Sequence, residues 1–422
     1  MKLVAATDED NLRRSAVRRR IIRQVALFIG MLISGGLLLF PRLPLIGLLL
    51  LICILYKNPA RLLKREFAMI WLLLALVAAM ALLAGGSFQI EFMATRYANF
   101  LGGIALLLLY VDARPDTFAR DLVPVFRVMA ALAILTPVAV LMPGITFQPL
   151  PIGDTEYQTF FLLFTYHDMV ANAGWFKRPD GFFFEPGVLQ LYLNIYVAIS
   201  LFVLRLGWRD LALGVASVVI TLSTTGAVIL AFQLTVAYFS RVNVRNGPHR
   251  QLLALLLAPL LLLPSAFYAI SNVNDKLTGE GRGSAWARQY DLLTGLAVVA
   301  ESPITGIGFD YDRYYALASR VGYRETRLSE QNISERSNSN GIATLLYSVG
   351  VPLSLMFLFG LLKQKFVRPR VVMAVILLLS LSTEALIFTP FVLMIIFSGL
   401  LIAPAHRVMK RATEGRPRLA RV

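Results

Sequence analysis

The chain has 422 residues, of which 57% are hydrophobic and only 16% charged, and its mean hydropathy is +0.67. A soluble domain of this size must present a hydrated surface, so this balance excludes an ordinary water-soluble globule and makes lipid the expected solvent. The formal net charge is +16, yet Lys and Arg fall in short clusters between apolar runs, which is a membrane-topology signal and not a nucleic-acid surface.

The first 20 residues are polar, with Arg13, Arg14, Arg18, Arg19 and Arg20 ahead of the first apolar run. No small-residue cleavage site follows that run, so it reads as a retained helix and not as a signal peptide. Apolar runs bounded by charge, Pro or Gly predict spans near 21–40, 42–56, 67–85, 97–111, 121–142, 183–204, 210–222, 225–240, 251–270, 341–362, 371–388 and 390–405. The expected fold class is all-α, a polytopic membrane helix bundle of about twelve transmembrane helices forming a single domain over 1–422. The second, fourth and seventh runs are short for a straight crossing, which leaves open about eleven spans or a re-entrant segment.

Charge orients this bundle. With a cytoplasmic N-terminus, every inside segment is basic: Arg13 to Arg20, then Lys57/Arg61/Lys64/Arg65, Arg114/Arg120, Arg205/Arg209, Arg241/Arg245/Arg250, Lys363/Lys365/Arg368/Arg370, and Arg407 to Arg421. The outside turns near 42, 86–96, 223 and 389 are nearly free of Lys and Arg, and both termini are expected inside. Two long outside segments remain, 143–182 and 271–340, the second with short helices. Long structured loops carry function, so candidate sites are sought there.

The first loop ends Lys177-Arg178-Pro179-Asp180-Gly181-Phe182-Phe183-Phe184-Glu185-Pro186-Gly187, which brings two cations to the membrane edge and a carboxylate into an apolar stretch. Glu185 either pairs with a cation such as Arg178 or has its pKa raised by apolar surroundings, which suits proton transfer. In the second loop, glycines surround Arg282, and an amphipathic helix is expected to run on through Arg288 to about 300. Both guanidinium groups suit phosphate or pyrophosphate oxygens, although no Lys-Ser/Thr follows to make a P-loop. Farther on, Tyr314, Tyr315, Arg320, Tyr323, Arg324 and Arg327 alternate aromatic and basic character, which suits sugar faces and hydroxyls or a membrane interface.

Other groups point to less. Asp310-Tyr311-Asp312 has the form of a transferase metal pair but lacks the alternating strands and helices of such enzymes. With isolated histidines and one cysteine, Cys53, neither a metal site nor a cofactor is expected. His167 beside Asp168 reads as an acid/base pair or as an incidental polar pair. Glu384, placed in the eleventh span, marks a proton path or pairs with an arginine near the outer face.

Several of these segments together resemble one family. They are Arg178 through Gly187 ahead of a span, Ser223-Thr224-Thr225-Gly226, Arg282 four residues before Trp286, Ser302-Pro303 with Gly306-Ile307-Gly308-Phe309, and Ser339-Asn340 opening a span that reaches Gly350-Val351-Pro352. In order and placement, from about 170 to 360, the chain resembles the bacterial O-antigen polymerase and O-antigen ligase superfamily. The resemblance implies a metal-independent membrane glycosyltransferase of the bacterial inner membrane. It would act on the periplasmic face on an undecaprenyl-pyrophosphate-linked oligosaccharide donor and acceptor, and a chain-length regulator is a further partner.

Arginines at positions like Arg178 and Arg282 are then expected to engage the donor pyrophosphate, and Glu185 to deprotonate the acceptor hydroxyl. Lys177, Arg288, Tyr323, Arg324 and Asn340 complete the expected substrate contacts. Ligases of the superfamily resemble one another in a His-Asn pair where this chain has Ser339-Asn340, which favours a polymerase of O-antigen or exopolysaccharide repeats. The alternatives are a ligase acting on lipid A core, a lipid-linked saccharide flippase, and a scaffold. A flippase generally shows repeated halves and charges spread through the bundle, and the sequence has neither.

Overall fold

The structure is a computed structural model describing residues 2–37, 41–85, 90–114, 116–152, 155–167, 177–241, 282–319 and 338–402. Its helices in chain order are α1 (Lys2–Ile33), α2 (Arg42–Tyr56), α3 (Ala68–Leu83), α4 (Ile90–Tyr110), α5 (Thr117–Leu141), α6 (Pro186–Ala198), α7 (Trp208–Ile220) and α8 (Thr224–Arg241). They continue as α9 (Arg282–Glu301), α10 (Tyr311–Ala318), α11 (Gly341–Leu362), α12 (Arg370–Leu381) and α13 (Pro390–Leu400). The expected span at 251–270 lies outside the described residues.

Among the described residues, four segments are long and apolar enough to cross a membrane: Arg65–Leu83, Thr117–Leu141, Pro186–Val203 and Gly341–Leu362. Others are shorter. The 11 residues of α13 rise only about 16 Å, roughly half of a hydrocarbon core. α6 and α13 are buried nearly all round and form the centre, as expected of helices that are apolar on every face. Around them, α2 buries Ile46, Leu49 and Cys53 and turns Leu43, Leu51, Ile54 and Leu55 outward. Exposed stripes of this kind on α2, α5 and α11 are liabilities in water and ordinary in lipid.

Close approach at the centre depends on small residues. A Cβ on Gly103 of α4 would stand 2.7 Å from Leu393 Cβ of α13, and one on Gly360 of α11 would stand 2.7 Å from the Ile396 carbonyl oxygen. The segments read from charge as inside hold most of the ion pairs among the described residues: Arg23–Asp121 (2.6 Å), Arg61–Glu66 (2.7 Å), Arg61–Asp112 and Arg127–Asp210 (2.6 Å).

Two expectations change. The chain is not all-α, because the first long loop folds as a three-stranded antiparallel sheet of β1 (Gln148–Ile152), β2 (Thr155–Phe160) and β3 (Phe164–His167). Tyr157 and Thr159 on β2 alternate inward, a period-2 pattern too short to stand out beside the long apolar runs. Second, α12 stops at Leu381, where the predicted span continued to 388. Turns over 382–389 follow, so Glu384 sits outside the helix.

α11 is broken at Gly350, whose φ of +76° is non-helical, and Pro352 supplies no N–H. The loop after α9 occupies the break: Ile307 N–H donates to the Tyr347 carbonyl (2.7 Å) and Val351 N–H to the Pro303 carbonyl (2.8 Å). Backbone groups released by the kink are thereby paired, as buried ones must be.

Candidate functional site

The segment from Arg178 to Glu185 is held from two sides. On one side is the sheet: Asp180 N–H donates to the Thr165 carbonyl (2.8 Å), Tyr166 bridges Pro179, and the Tyr157 hydroxyl donates to the Phe184 carbonyl (2.8 Å). On the other is the end of α1, where Leu37 N–H donates to the Phe182 carbonyl (3.0 Å) and Phe184 N–H to that of Gly35 (3.2 Å). Gly181, at φ +62°, makes the turn between them.

This clamp delivers Glu185 to the N-cap of α6, with Pro186 fixing the first helical residue. The Glu185 side chain does not cap its own helix. Over Gly187 it meets a second carboxylate. The position a Cβ would take on Gly187 is 3.1 Å from Glu384 Cδ and 3.8 Å from Glu185 Oε2.

Glu384 is 3% exposed, and its Oε1 has no hydrogen-bond partner among the described residues. Burial, and next the charge of Glu185, hold its carboxyl well above the usual range, while Arg288 and then Arg178 pull the other way. Glu185 and two guanidinium groups therefore act on Glu384 at one end of the bundle. Arg178 is anchored through its Nε, which donates to the Thr221 carbonyl (2.9 Å) in the turn between α7 and α8.

Behind Arg178, His167 Nδ1 and Asp180 Oδ2 are 2.8 Å apart and buried. Burial pushes the Asp180 carboxyl up to about 7 even with His167 beside it. Burial also draws the His167 ring down, and the hydrogen bond and charge of Asp180 more than reverse this. The pair thus keeps its protons to higher pH than the separate side chains in water.

Of the predicted residues, Glu185, Arg288 and Arg178 all act electrostatically on Glu384. Lys177 lies 5.9 Å above the Tyr166 ring, on the sheet. Asn340 opens α11, and its side-chain oxygen accepts from Ile342 N–H (3.0 Å) and Ala343 N–H (2.9 Å), so that atom is committed to the cap. The start of α11 nevertheless borders the site, since a Cβ on Gly341 would be 2.7 Å from the Glu384 carbonyl oxygen. Arg282 is the first residue of α9, and its side chain, like Tyr323 and Arg324, lies outside the described residues.

Comparison with protein-family models, with curated proteins and with solved structures returns no match. Function is therefore argued from the site itself.

Three features add to the sequence reading. Glu384 is part of the site, and the signal for it was the expense of a carboxylate in an apolar run. His167 pairs with Asp180, while the adjacent Asp168 lies outside the described residues. Asp310 of the Asp-Tyr-Asp triplet caps α10, accepting from Arg313 N–H at 3.0 Å. Chemically, the site sets the partly exposed Glu185 carboxylate beside a buried one that favours its proton, with guanidinium groups acting on the latter.

Proposed function

We propose that this protein is a polytopic membrane glycosyltransferase that polymerises undecaprenyl-pyrophosphate-linked oligosaccharide repeats into O-antigen or exopolysaccharide on the periplasmic face of the inner membrane. About twelve spans with both termini cytoplasmic satisfy the positive-inside pattern of its basic clusters. The observation that carries the reading is the meeting of Glu185 and Glu384 over Gly187 under the charges of Arg178 and Arg288.

In glycosyl transfer the acceptor hydroxyl loses a proton as the bond from the sugar to the pyrophosphate breaks. Glu185, partly exposed, takes that proton; Glu384, kept protonated by burial and by Glu185, adds no second negative charge next to the departing anion. Arg178 and Arg288 stabilise the charge that develops on the pyrophosphate. The segments that carry the family resemblance support the same reading, because Gly306-Ile307 and Gly350-Val351 meet at the α11 kink and Ser223 belongs to the turn that anchors Arg178, directly ahead of Thr224 at the start of α8.

The test is to incubate the purified protein with a lipid-linked oligosaccharide from the same organism, without added metal, and to resolve the products on a gel. A ladder of lengthening lipid-linked chains is expected. A single addition seen only when lipid A core is supplied would make it a ligase, and no reaction with either acceptor would favour a flippase.

A further inference from the structure

The end of α1 that charge places inside divides its arginines between two roles. Arg20 and Arg23 reach the buried Asp121 of α5, at 3.8 and 2.6 Å, and Gln24 donates to the Asp121 carbonyl (3.3 Å). Arg14, Arg18 and Arg19 instead line a cleft of about 510 Å³ with Ser15 and with Tyr56, the last residue of α2. Among the described residues none of these three forms an ion pair. Arg18 donates to the Tyr56 hydroxyl (3.2 Å) with its guanidinium 5.8 Å above the ring, and Arg19 donates to Ser15 Oγ (2.8 Å). Like charges this close repel one another, and an anion seated among them relieves the repulsion.

The helix surface selects the kind of anion. Arg14, Arg18, Ile21 and Val25 are spaced by four, three and four residues, so they share one face of α1. That face is open along its length: Arg14 and Arg18 are exposed, Ile21 is 53% exposed and Val25 46%. Its character changes from basic to apolar at Ile21, where the run read as the first span begins. From Arg18 to Val25 the stripe rises about 10 Å, into the apolar run. A free phosphate or an acidic peptide would meet the arginines and leave the apolar half of this stripe bare. An anionic headgroup on a hydrocarbon chain covers both halves.

We propose that Arg14, Arg18, Arg19 and Tyr56 bind the phosphate of an anionic phospholipid whose acyl chain lies along Ile21 and Val25. The guanidinium groups donate to the phosphate oxygens, and the Tyr56 ring and hydroxyl hold the Arg18 fork where α1 meets α2. About 22 Å of helix separate Arg18 from the end of α1 that holds the Glu185 segment, so this lipid is no part of the site built there. Its binding does not rest on the proposed glycosyl transfer.

The test is native mass spectrometry of the full-length protein in detergent, titrated with dioleoylphosphatidylglycerol. R14Q/R18Q/R19Q is expected to bind this lipid about tenfold or more weakly than wild type. K64Q/R120Q/R209Q removes as many exposed charges from the same end of the bundle and is expected to bind as wild type does. Unchanged binding by the first variant, or equal losses in the two, overturns the proposal, the latter by reducing the attraction to overall charge. So does equal binding of dioleoylphosphatidylcholine, which would make the headgroup charge irrelevant, or equal competition by glycerol 3-phosphate, which would make the tail irrelevant. A second arm needs only the wild-type protein: phosphatidylglycerol with a photoreactive acyl chain is expected to label the α1 peptide that contains Ile21 and Val25, and labelling confined to other helices would also overturn the site.

Discussion

Glu185 and Glu384 come from segments 199 residues apart and share the space above Gly187, one at the N-cap of α6 and the other in the turn after α12. Like-charged carboxylates that close do not both ionise readily, and burial together with Glu185 raises the carboxyl of the deeper one, Glu384. This asymmetry separates two conservative variants. Glu185→Gln removes the proton acceptor and is expected to lower kcat by about 10²-fold or more with donor binding retained. Glu384→Gln mimics the protonated form that burial favours and is expected to cost less than about tenfold, or 1.4 kcal/mol. Single-turnover rates with lipid-linked donor measure both, and equal losses would reject the division of roles.

Gly187 gives a structural test of the same arrangement. Ala is a better helix former than Gly by up to about 1 kcal/mol, so at an unobstructed position in the first turn Gly187→Ala would stabilise α6. Here the added methyl falls on the Glu384 carboxylate. The variant is therefore expected to lose about 1–3 kcal/mol and most of its activity. A melting temperature at or above that of wild type would show that Glu384 does not occupy this place.

How much of this was legible in the sequence differs by element. The cores of α3, α5, α6 and α11 follow from apolar runs bounded by charge, and the kink in α11 from Gly350-Val351-Pro352. Glu185 could be named because a carboxylate in an apolar stretch is expensive, and Arg178 and Arg288 because guanidinium groups suit pyrophosphate oxygens. The strands were not legible, since six residues of alternation carry little signal beside spans of twenty. Nor was the role of Thr221, whose backbone carbonyl anchors Arg178 and leaves no mark on residue type. Glu384 was visible as an anomaly, but its meeting with Glu185 depends on α12 ending at Leu381, and Leu381 and Ser382 carry no stop signal.

The His167–Asp180 pair gives the sheet a dependence on pH. Asp180 is pushed from the ordinary value of about 3.9 up to about 7, and His167 is raised above its ordinary value of about 6.5. Both shifts mean that the folded protein binds more protons than the unfolded chain, so stability falls as pH rises. The loss begins above about pH 4, passes through about 7 as Asp180 ionises, and continues until His167 is neutral. Melting temperatures from pH 5 to pH 9 are expected to decline for wild type and to flatten for Asp180→Asn. A rise over that range would contradict the assignment.

The α11 kink is the last arrangement with a sharp expectation. At Gly350, φ is +76°, and an added Cβ would run into the Ile304 carbonyl and stand 2.6 Å from Ile304 C, so both the backbone and its neighbour oppose a side chain. Gly306, at φ +67°, is similarly confined, 2.6 Å from both Gly350 N and the Tyr347 oxygen. Left-handed backbone at a non-glycine residue costs about 1–3 kcal/mol before any clash. Gly350→Ala is therefore expected to destabilise the protein by at least about 2 kcal/mol and to release the 303–309 loop, which carries Phe309 toward Arg96. Gly47→Ala on α2, where an added Cβ meets nothing within 4 Å, is the control and is expected to be neutral or stabilising. Thermal unfolding of the two variants in detergent decides the matter: equal melting temperatures would mean that the loop does not seat in the kink.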